Sequence, residues 1–300
     1  MVCGFLAEPD VVEIALNPDG RLWVERLGQE MMPVGTMSAS QAESLMTTVA
    51  AALRTTITRD NPILECELPF DGSRFEALIP PVVAAPTFAI RRKASRIFTL
   101  DEYVERGIMT GCQRAVLVEA VAARRNILVV GGTGTGKTTL TNALIKEIER
   151  ATPHDRLIII EDTVELQCAA ANVVQLRTAE HVGMQRLLAA TMRLRPTRIL
   201  VGETRGPEAL SMLKAWNTGH PGGVATVHAN TSDSAGTAGL IRLESLIAEA
   251  TAASWQRRIA EAVNIIVNIE KTSASPGRRI SAVLAVDGFD GTDYVLSQLG

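Results

Sequence analysis

A glycine-rich segment between an apolar run and a helix-like stretch is the feature that most constrains how this chain folds. The segment reads Gly131-Gly132-Thr133-Gly134-Thr135-Gly136-Lys137-Thr138 and satisfies the pattern G-x-x-x-x-G-K-[ST]. Residues 127–130 are all aliphatic, which predicts a buried strand, and residues 138–148 follow as a predicted helix. Glycines let the backbone turn tightly enough to direct successive N–H groups at phosphate oxygens. The segment therefore predicts a phosphate-binding loop for a nucleoside triphosphate.

The positions of this loop have expected partners on ATP. Lys137 is expected to reach the β- and γ-phosphates, and the Thr138 hydroxyl is expected to bind Mg²⁺. The positive end of the following helix adds to the attraction for anions. The predicted nucleotide-contacting residues are Gly132, Thr133, Gly134, Thr135, Gly136, Lys137, Thr138 and Thr139. A dinucleotide site is excluded, because no Gly-x-Gly-x-x-Gly register fits these residues.

Two further predicted strands end in carboxylates. Glu203 follows one aliphatic run, and Glu161, Asp162 and Glu165 follow another. Ligands of open α/β sheets bind at the carboxyl ends of the strands, so both groups are placed at that edge. We expect Glu203 to hold the Mg²⁺ shell and Glu161 to activate the attacking water, with the reverse assignment of the two glutamates as the alternative. The alternatives are an ordinary strand-end glutamate at Glu203 and a solvated acidic turn for the other three.

A histidine ends a fourth predicted strand. His228 follows the apolar run 224–227 within the glycine-rich segment 218–230, and His220 precedes the same strand. We expect His228 to hydrogen-bond the γ-phosphate or a catalytic carboxylate. The alternative is a purely structural histidine, which is the commoner role for a single imidazole.

The pattern of the chain changes near residue 95, and 300 residues are enough for two domains. Residues 1–95 predict a smaller α+β domain, with two hairpins around Pro18-Asp19-Gly20 and Pro69-Phe70-Asp71-Gly72. Its helix is expected to begin at a capping box formed by Ser40 and Glu43. Residues 96–300 alternate apolar strands with helices, which predicts an α/β domain with a parallel central sheet and antiparallel strands at its end.

Composition excludes several classes of protein. The net charge is −3 and aromatic residues make up 4% of the chain, so we expect no direct DNA binding. No apolar run is long enough to span a bilayer, and the first residues do not have the pattern of a secretory signal, so we expect a cytoplasmic protein. The four cysteines are far apart, which predicts buried, reduced thiols.

Four motifs now stand in order: the glycine loop, the acidic segment ending in Glu165, a segment Arg195-Pro196-x-Arg198-x-x-x-Gly202-Glu203-x-Arg205-Gly206, and the histidine segment. Together they resemble the secretion ATPase family of type II and type IV secretion systems and type IV pili. The N-terminal stretches resemble members that serve conjugative transfer. These stretches are Glu8-Pro9-Asp10-Val11-Val12-Glu13-Ile14, Asn17-Pro18-Asp19-Gly20-Arg21-Leu22-Trp23-Val24 and Glu67-Leu68-Pro69-x-Asp71-Gly72-Ser73-Arg74-Phe75. The first predicted strand lies close to residue 1, so we expect a short N-terminal segment to be missing.

The resemblance implies a RecA-like P-loop motor domain behind a sensor-like N-terminal domain, assembled as a homo-hexamer with ATP between the domains. It implies that Arg74 and Arg91 face the nucleotide and stabilise charge on the γ-phosphate. It further implies ATP hydrolysis that powers conjugative pilus assembly or substrate transfer. The implied location is peripheral, at the cytoplasmic face of the bacterial inner membrane, through inner-membrane channel proteins.

Other nucleotide-binding classes fit less well. A signalling GTPase needs an Asn-Lys-x-Asp motif and a transport ATPase of the ABC type needs a Ser-Gly-Gly signature, and the sequence has neither. A non-catalytic scaffold is disfavoured by the carboxylates at Glu161, Glu165 and Glu203. A RecA-like nucleic-acid-dependent ATPase remains the main alternative, because it would share the core fold.

Overall fold

The chain folds into two compact units, Met1–Arg96 and Ile97–Gly300. The computed structural model describes residues 1–93, 96–179, 181–229 and 236–300. The predicted boundary at residue 95 and the last residue of the predicted histidine segment, Asn230, lie outside the described residues. Within the described ranges, no helix combines the length and apolar character that a membrane span requires.

The first unit contains a six-stranded sheet in the order β3-β2-β1-β6-β5-β4, in which neighbouring strands are antiparallel. Its elements are α1 (Val2–Ala7), β1 (Val11–Leu16), β2 (Arg21–Arg26), β3 (Met32–Thr36), α2 (Ala39–Ala52), β4 (Ile63–Glu67), β5 (Arg74–Leu78) and β6 (Thr87–Arg91). Alternate residues of the central strands, including Ile14, Phe75 and Ile90, are buried in one core with Met46 of α2. The predicted α+β architecture is therefore confirmed.

Helix α2 begins two residues earlier than its predicted capping box. Ser38, not Ser40, is the N-cap, and its hydroxyl accepts a hydrogen bond from the Gln41 backbone N–H at 3.3 Å. The Gln41 side chain in turn accepts from the Ser38 N–H at 3.0 Å. The expected pair of Ser40 and Glu43 has the same spacing, but Ser38 has the extended backbone that a cap requires. The prediction of the Ser40 cap is wrong for that reason.

The second unit contains an eight-stranded sheet in the order β14-β13-β12-β7-β11-β10-β8-β9. Its first elements are α3 (Leu100–Glu105), α4 (Gly111–Ala122), β7 (Ile127–Gly131), α5 (Lys137–Ala151), β8 (Leu157–Glu161), β9 (Val173–Arg177), α6 (Met184–Thr191) and β10 (Arg198–Thr204). The remaining ones are α7 (Glu208–Asn217), β11 (Val224–His228), α8 (Thr237–Ala248), α9 (Gln256–Ala262), β12 (Ile265–Lys271), β13 (Arg278–Phe289) and β14 (Tyr294–Gln298). Strands β12 to β9 run parallel, whereas β13 and β14 are antiparallel, as the sequence predicts.

Both faces of the parallel sheet are covered. Ile127 and Val129 of β7 pack into a core shared with α4 and α5, whereas Leu128 and Val130 pack into the opposite core with α7 and α8. All five residues of β7 are buried. This two-sided burial explains why the strand is a continuous apolar run, and it fixes the end of β7 at the glycine loop.

A buried ion pair lies at the other end of the parallel strands, away from the glycine loop. The Arg198 side chain is fully buried and donates to Asp155 at 2.7 Å and to the carbonyls of Val121 at 3.0 Å and Gly222 at 3.2 Å. Arg198 belongs to the third sequence motif, but it lies at the start of β10, far along the strand from the glycine loop. Its role is therefore to join α4, β10 and the segment before β11.

The cysteines are free, but they are less buried than expected. Cys3 and Cys112 are exposed, and Cys66 and Cys168 are half-buried. The prediction of buried thiols is therefore wrong, because Cys66 and Cys168 lie only at the borders of the cores and the other two cysteines lie outside them.

Candidate nucleotide site

The glycine loop joins β7 to α5, as its sequence predicts. Gly134 and Gly136 have φ values of +69° and +102°, in the left-handed region that favours glycine. Gly136 is the N-cap residue of α5, and its carbonyl accepts the first helical hydrogen bond from Leu140 at 2.9 Å. The loop therefore has the backbone shape that phosphate binding requires. The first N–H groups of the 15-residue helix α5 are directed towards the loop.

Two side chains of the loop bond back to its own carbonyls. The Lys137 Nζ donates to the carbonyls of Gly131 at 2.9 Å and Gly132 at 3.0 Å, and the Thr135 hydroxyl donates to Gly132 at 3.0 Å. The Lys137 ammonium is thereby held over the loop rather than extended into solvent. The structure brings Gly132 to Thr139 together as one loop and the first turn of α5.

A carboxylate meets the predicted magnesium ligand. The Thr138 hydroxyl donates to Glu165 Oε2 at 3.2 Å. Glu165 is held in place by Glu161, whose Oε1 accepts from the backbone N–H groups of Glu165 at 3.0 Å and Leu166 at 2.8 Å. Glu161 is only 3% exposed and packs against Gly202, where a Cβ would lie 2.8 Å from its Cγ. Glu161, Glu165 and Thr138 therefore form one connected group.

Glu203 has a different partner. It accepts from Arg205 Nε at 2.8 Å and Nη2 at 2.5 Å, and Arg205 also lies 4.0 Å from the Asp162 carboxylate. Burial lowers the pKa of Arg205, but the hydrogen bond and charge of Glu203 outweigh it, so the pKa is raised overall. Among the described residues, the carboxylate in contact with Thr138 is that of Glu165 rather than Glu203.

His228 lies beside the loop, and His220 does not. His228 pairs with Gly131 in the β11–β7 register, and its Nδ1 is 3.5 Å from the Thr133 hydroxyl. His220 precedes the other end of β11, where its Nδ1 is 3.0 Å from the Pro196 carbonyl. The two histidines therefore lie at opposite ends of β11, and the contact of His220 with the Pro196 carbonyl indicates a structural role.

The two predicted arginines of the first unit are neighbours in its sheet. Arg74 and Arg91 are directly opposite each other on β5 and β6, next to the buried pair Phe75 and Ile90. Because side chains alternate along a strand, both guanidinium groups lie on the face away from the core. Glu13 on β1 is opposite Arg91 on its other side. Burial raises the pKa of Glu13, and the positive charge of Arg91 opposes that shift.

The donor set at the loop suits a magnesium–nucleotide complex rather than a metal held by protein alone. Within the part of the chain that the structure describes, no three His, Cys, Asp or Glu side chains cluster as a metal site. Mg²⁺ commonly uses one or two protein oxygens together with phosphates and water. The Thr138 hydroxyl and the Glu165 carboxylate, 3.2 Å apart at the loop, fit that requirement.

Comparisons with known proteins agree with this geometry. The family model described as "Type II/IV secretion system protein" matches residues 6–275. The "Probable conjugal transfer protein TrbB" of Sinorhizobium fredii is 53% identical over 293 residues, which cover 98% of this chain and 88% of that protein. "Protein VirB11" of Agrobacterium fabrum is 32% identical over 302 residues, covering 88% of this chain and 86% of that one.

A solved structure extends the likeness to the fold. The crystal structure of the VirB11 ATPase from the Brucella suis type IV secretion system, in complex with sulphate, is 28% identical with a TM-score of 0.53 and covers 95% of both chains. The predicted fold class is confirmed by this likeness and by the two sheets described above. The chain belongs to the type II/IV secretion system protein family.

Proposed function

We propose that this protein is an ATPase motor that hydrolyses ATP to ADP and phosphate and powers conjugative pilus assembly or substrate transfer through a type IV secretion system. The observation that carries the proposal is the preformed loop, in which Lys137 lies over the cradle and Thr138 contacts Glu165. Membership of the secretion family and the similarity to a conjugal transfer protein support the biological role.

The residues of the loop divide the binding task. Backbone N–H groups of the loop and the start of α5 receive the phosphates, and Lys137 exchanges its loop carbonyls for β- and γ-phosphate oxygens. Thr138 and Glu165 would hold Mg²⁺, with Glu203 contributing to its water shell as the sequence predicts. When bound, Mg²⁺ supplies positive charge that neutralises the charge developing on the phosphates.

Glu161, Glu203 and His228 are the proposed groups on the γ-phosphate side. Glu161 accepts the proton of the attacking water, while its Oε1 keeps the Glu165 segment in place. His228 donates to the γ-phosphate or to a carboxylate in this proposal, which its contact with Thr133 supports. Glu203 holds Arg205 at the same edge of the sheet.

The first unit, proposed to be a sensor-like domain of residues 1–95, supplies Arg74 and Arg91 to the nucleotide. Two adjacent guanidinium groups suit this task because their planar forks bind phosphate oxygens bidentately and keep their charge. Hydrolysis would remove the γ-phosphate that attracts them, which couples chemistry to domain movement. We propose that six copies of the chain assemble as a homo-hexamer.

The proposed setting is the cytoplasmic face of the bacterial inner membrane. Attachment would be peripheral and through inner-membrane channel proteins of the secretion system, since the named relatives are a conjugal transfer protein and type IV secretion proteins. The net charge of −3 and the 4% aromatic content argue against direct binding of DNA.

The substitution Lys137→Ala tests the proposal. We expect loss of ATP turnover, because a charge is removed from the site where transition-state charge accumulates. Lys146→Ala is the matched control, since Lys146 is an exposed lysine on the same helix. Phosphate release is measured for both variants with Mg·ATP. If Lys137→Ala kept turnover within about tenfold of the parent, a change of about 1.4 kcal/mol, the assignment of the loop would be wrong.

A further inference from the structure

Two cations from a distant part of the sequence lie against the glycine loop. Strand β12 runs parallel to β7 and extends past its end, and β13 returns beside it. Lys271 ends β12, Arg278 begins β13, and the two residues are directly opposite in the register of this hairpin. The hairpin therefore carries a pair of positive side chains to the edge of the sheet where the loop begins.

Both side chains approach the two left-handed glycines of the loop. A Cβ on Gly134 would lie 3.0 Å from Lys271 Nζ, and a Cβ on Gly136 would lie 2.7 Å from Arg278 Nη1. The charged ends of both side chains thus lie directly over the backbone of the loop. The absence of a side chain at each glycine is what makes room for them.

Neither cation is neutralised by the described part of the chain. The structure places no carboxylate within ion-pair distance of Lys271 or Arg278 among residues 1–93, 96–179, 181–229 and 236–300. The next arginine along, Arg279, is paired with Glu270 at 2.7 Å. Lys271 and Arg278 add to the positive charge of Lys137 and of the N-terminus of α5, so this side of the loop is positively charged and attracts anions.

The hairpin lies on the side of the loop away from the proposed catalytic groups. Strand β7 has β11 on one side and β12 on the other. His228 of β11 contacts Thr133, and the carboxylates follow on strands beyond β11. Under the proposed function those groups define the γ-phosphate side, so the β12 side would face the nucleoside end of the nucleotide.

We propose that Lys271 and Arg278 bind the α-phosphate of the nucleotide and set the affinity for ADP. This inference rests on the proposed function, and it adds two ligand-binding residues outside the four sequence motifs. The α-phosphate is present in both ATP and ADP, so these contacts persist after hydrolysis. The hairpin therefore retains the product, whereas Lys137 and the carboxylates act on the bond that breaks.

The test compares Lys271→Ala, Arg278→Ala and the control Arg279→Ala in the full-length protein, with ADP binding measured by titration calorimetry. We expect the Kd for ADP to rise about tenfold in each of the first two variants, the loss typical of one charge-assisted hydrogen bond. Arg279→Ala should bind ADP as the parent does. The affinity of the parent should also fall more steeply with salt than that of Lys271→Ala, because one ionic contact is missing from the variant.

Conservative variants separate a lost contact from a disturbed fold. Lys271→Arg should restore ADP affinity, which a merely misfolded hairpin would not do, and thermal unfolding is followed for each variant. Equal ADP affinity in Lys271→Ala, Arg278→Ala and Arg279→Ala would overturn the inference while the proposed ATPase function stands. If the parent itself bound neither ATP nor ADP, the proposed function would fail, and this inference with it.

Discussion

Glu161→Gln separates the chemical role of Glu161 from its anchoring role. The amide has the same size as the carboxylate, so its oxygen can still accept from the N–H groups of Glu165 and Leu166. It can no longer take a proton from water at neutral pH. We therefore expect turnover to be lost in a protein that remains folded and binds Mg·ATP.

The geometry gives the size of each effect. A hydrogen bond to a charged group contributes about 1 kcal/mol more than a neutral one, so two such bonds predict a loss of about 2 kcal/mol. For a unit of this size that corresponds to a fall in Tm of about 4 to 8 °C. A general base contributes a factor on the order of 10² to 10⁴, so turnover should fall at least a hundredfold.

Three measurements check this prediction: phosphate release, Mg·ATP affinity by calorimetry, and Tm by circular dichroism. Asp162→Asn is the control, because its side chain is 43% exposed and it is the adjacent carboxylate. A Glu161→Gln protein with the expected fall in Tm but turnover within tenfold of the parent would refute the base assignment. Glu161 would then be an anchor for Glu165 alone.

Further predictions concern the N-terminal arginines, the buried ion pair and nucleic acid. Arg91→Ala should lower turnover about a hundredfold or more, as loss of an arginine finger does, whereas Arg96→Ala should not; equal turnover in both would exclude the proposed role of the first unit. Asp155→Ala should lower the free energy of unfolding by about 3 to 5 kcal/mol, because it leaves Arg198 buried and unpaired. Asp101→Ala, which removes the exposed ion pair with Arg114, should lower it by less than about 1 kcal/mol. Urea unfolding measures both. Burial raises the pKa of the Asp155 carboxyl, but hydrogen bonds and the positive charge of Arg198 outweigh burial and lower the pKa overall. The stabilisation of the folded state by this ion pair should therefore be present at neutral pH and lost as the pH falls below about 4. Single- or double-stranded DNA should not raise ATP turnover; stimulation by either would favour the nucleic-acid motor.

Local sequence patterns were sufficient to predict those parts of the fold that a single short segment determines. The glycine loop could be predicted because residues 127–138 contain a buried strand, a turn and a helix start without help from distant residues. Strands β3 and β9 were not predicted. Pro33 and Gly35 interrupt the pattern of β3, and Val173 and Val174 of β9 are only half-buried, because both strands lie at sheet edges.

Contacts between distant segments could not be predicted in the same way. The bond between Thr138 and Glu165 depends on how the turn after β8 is held by Glu161, which no spacing rule contains. The approach of Lys271 to Gly134 depends on strand order, because β12 is inserted beside β7 although β8 follows β7 in the sequence. Strand order is set by the packing of the whole sheet. Residues such as Lys271, which strand order brings to the loop, therefore cannot be recognised as site residues from the sequence around them.

The place of β7 in the sheet also has a consequence for synthesis of the protein. Residues 127–131 leave the ribosome long before residues 224–228 and 265–271, which form the strands on either side of them. Until both are made, a strand with four consecutive aliphatic residues has unpaired edges, and such exposed apolar strands are prone to aggregate. A product that terminates before residue 265 would therefore be an aggregation hazard rather than a partial motor, and nascent chains of this protein are expected to need chaperones until their last segment emerges.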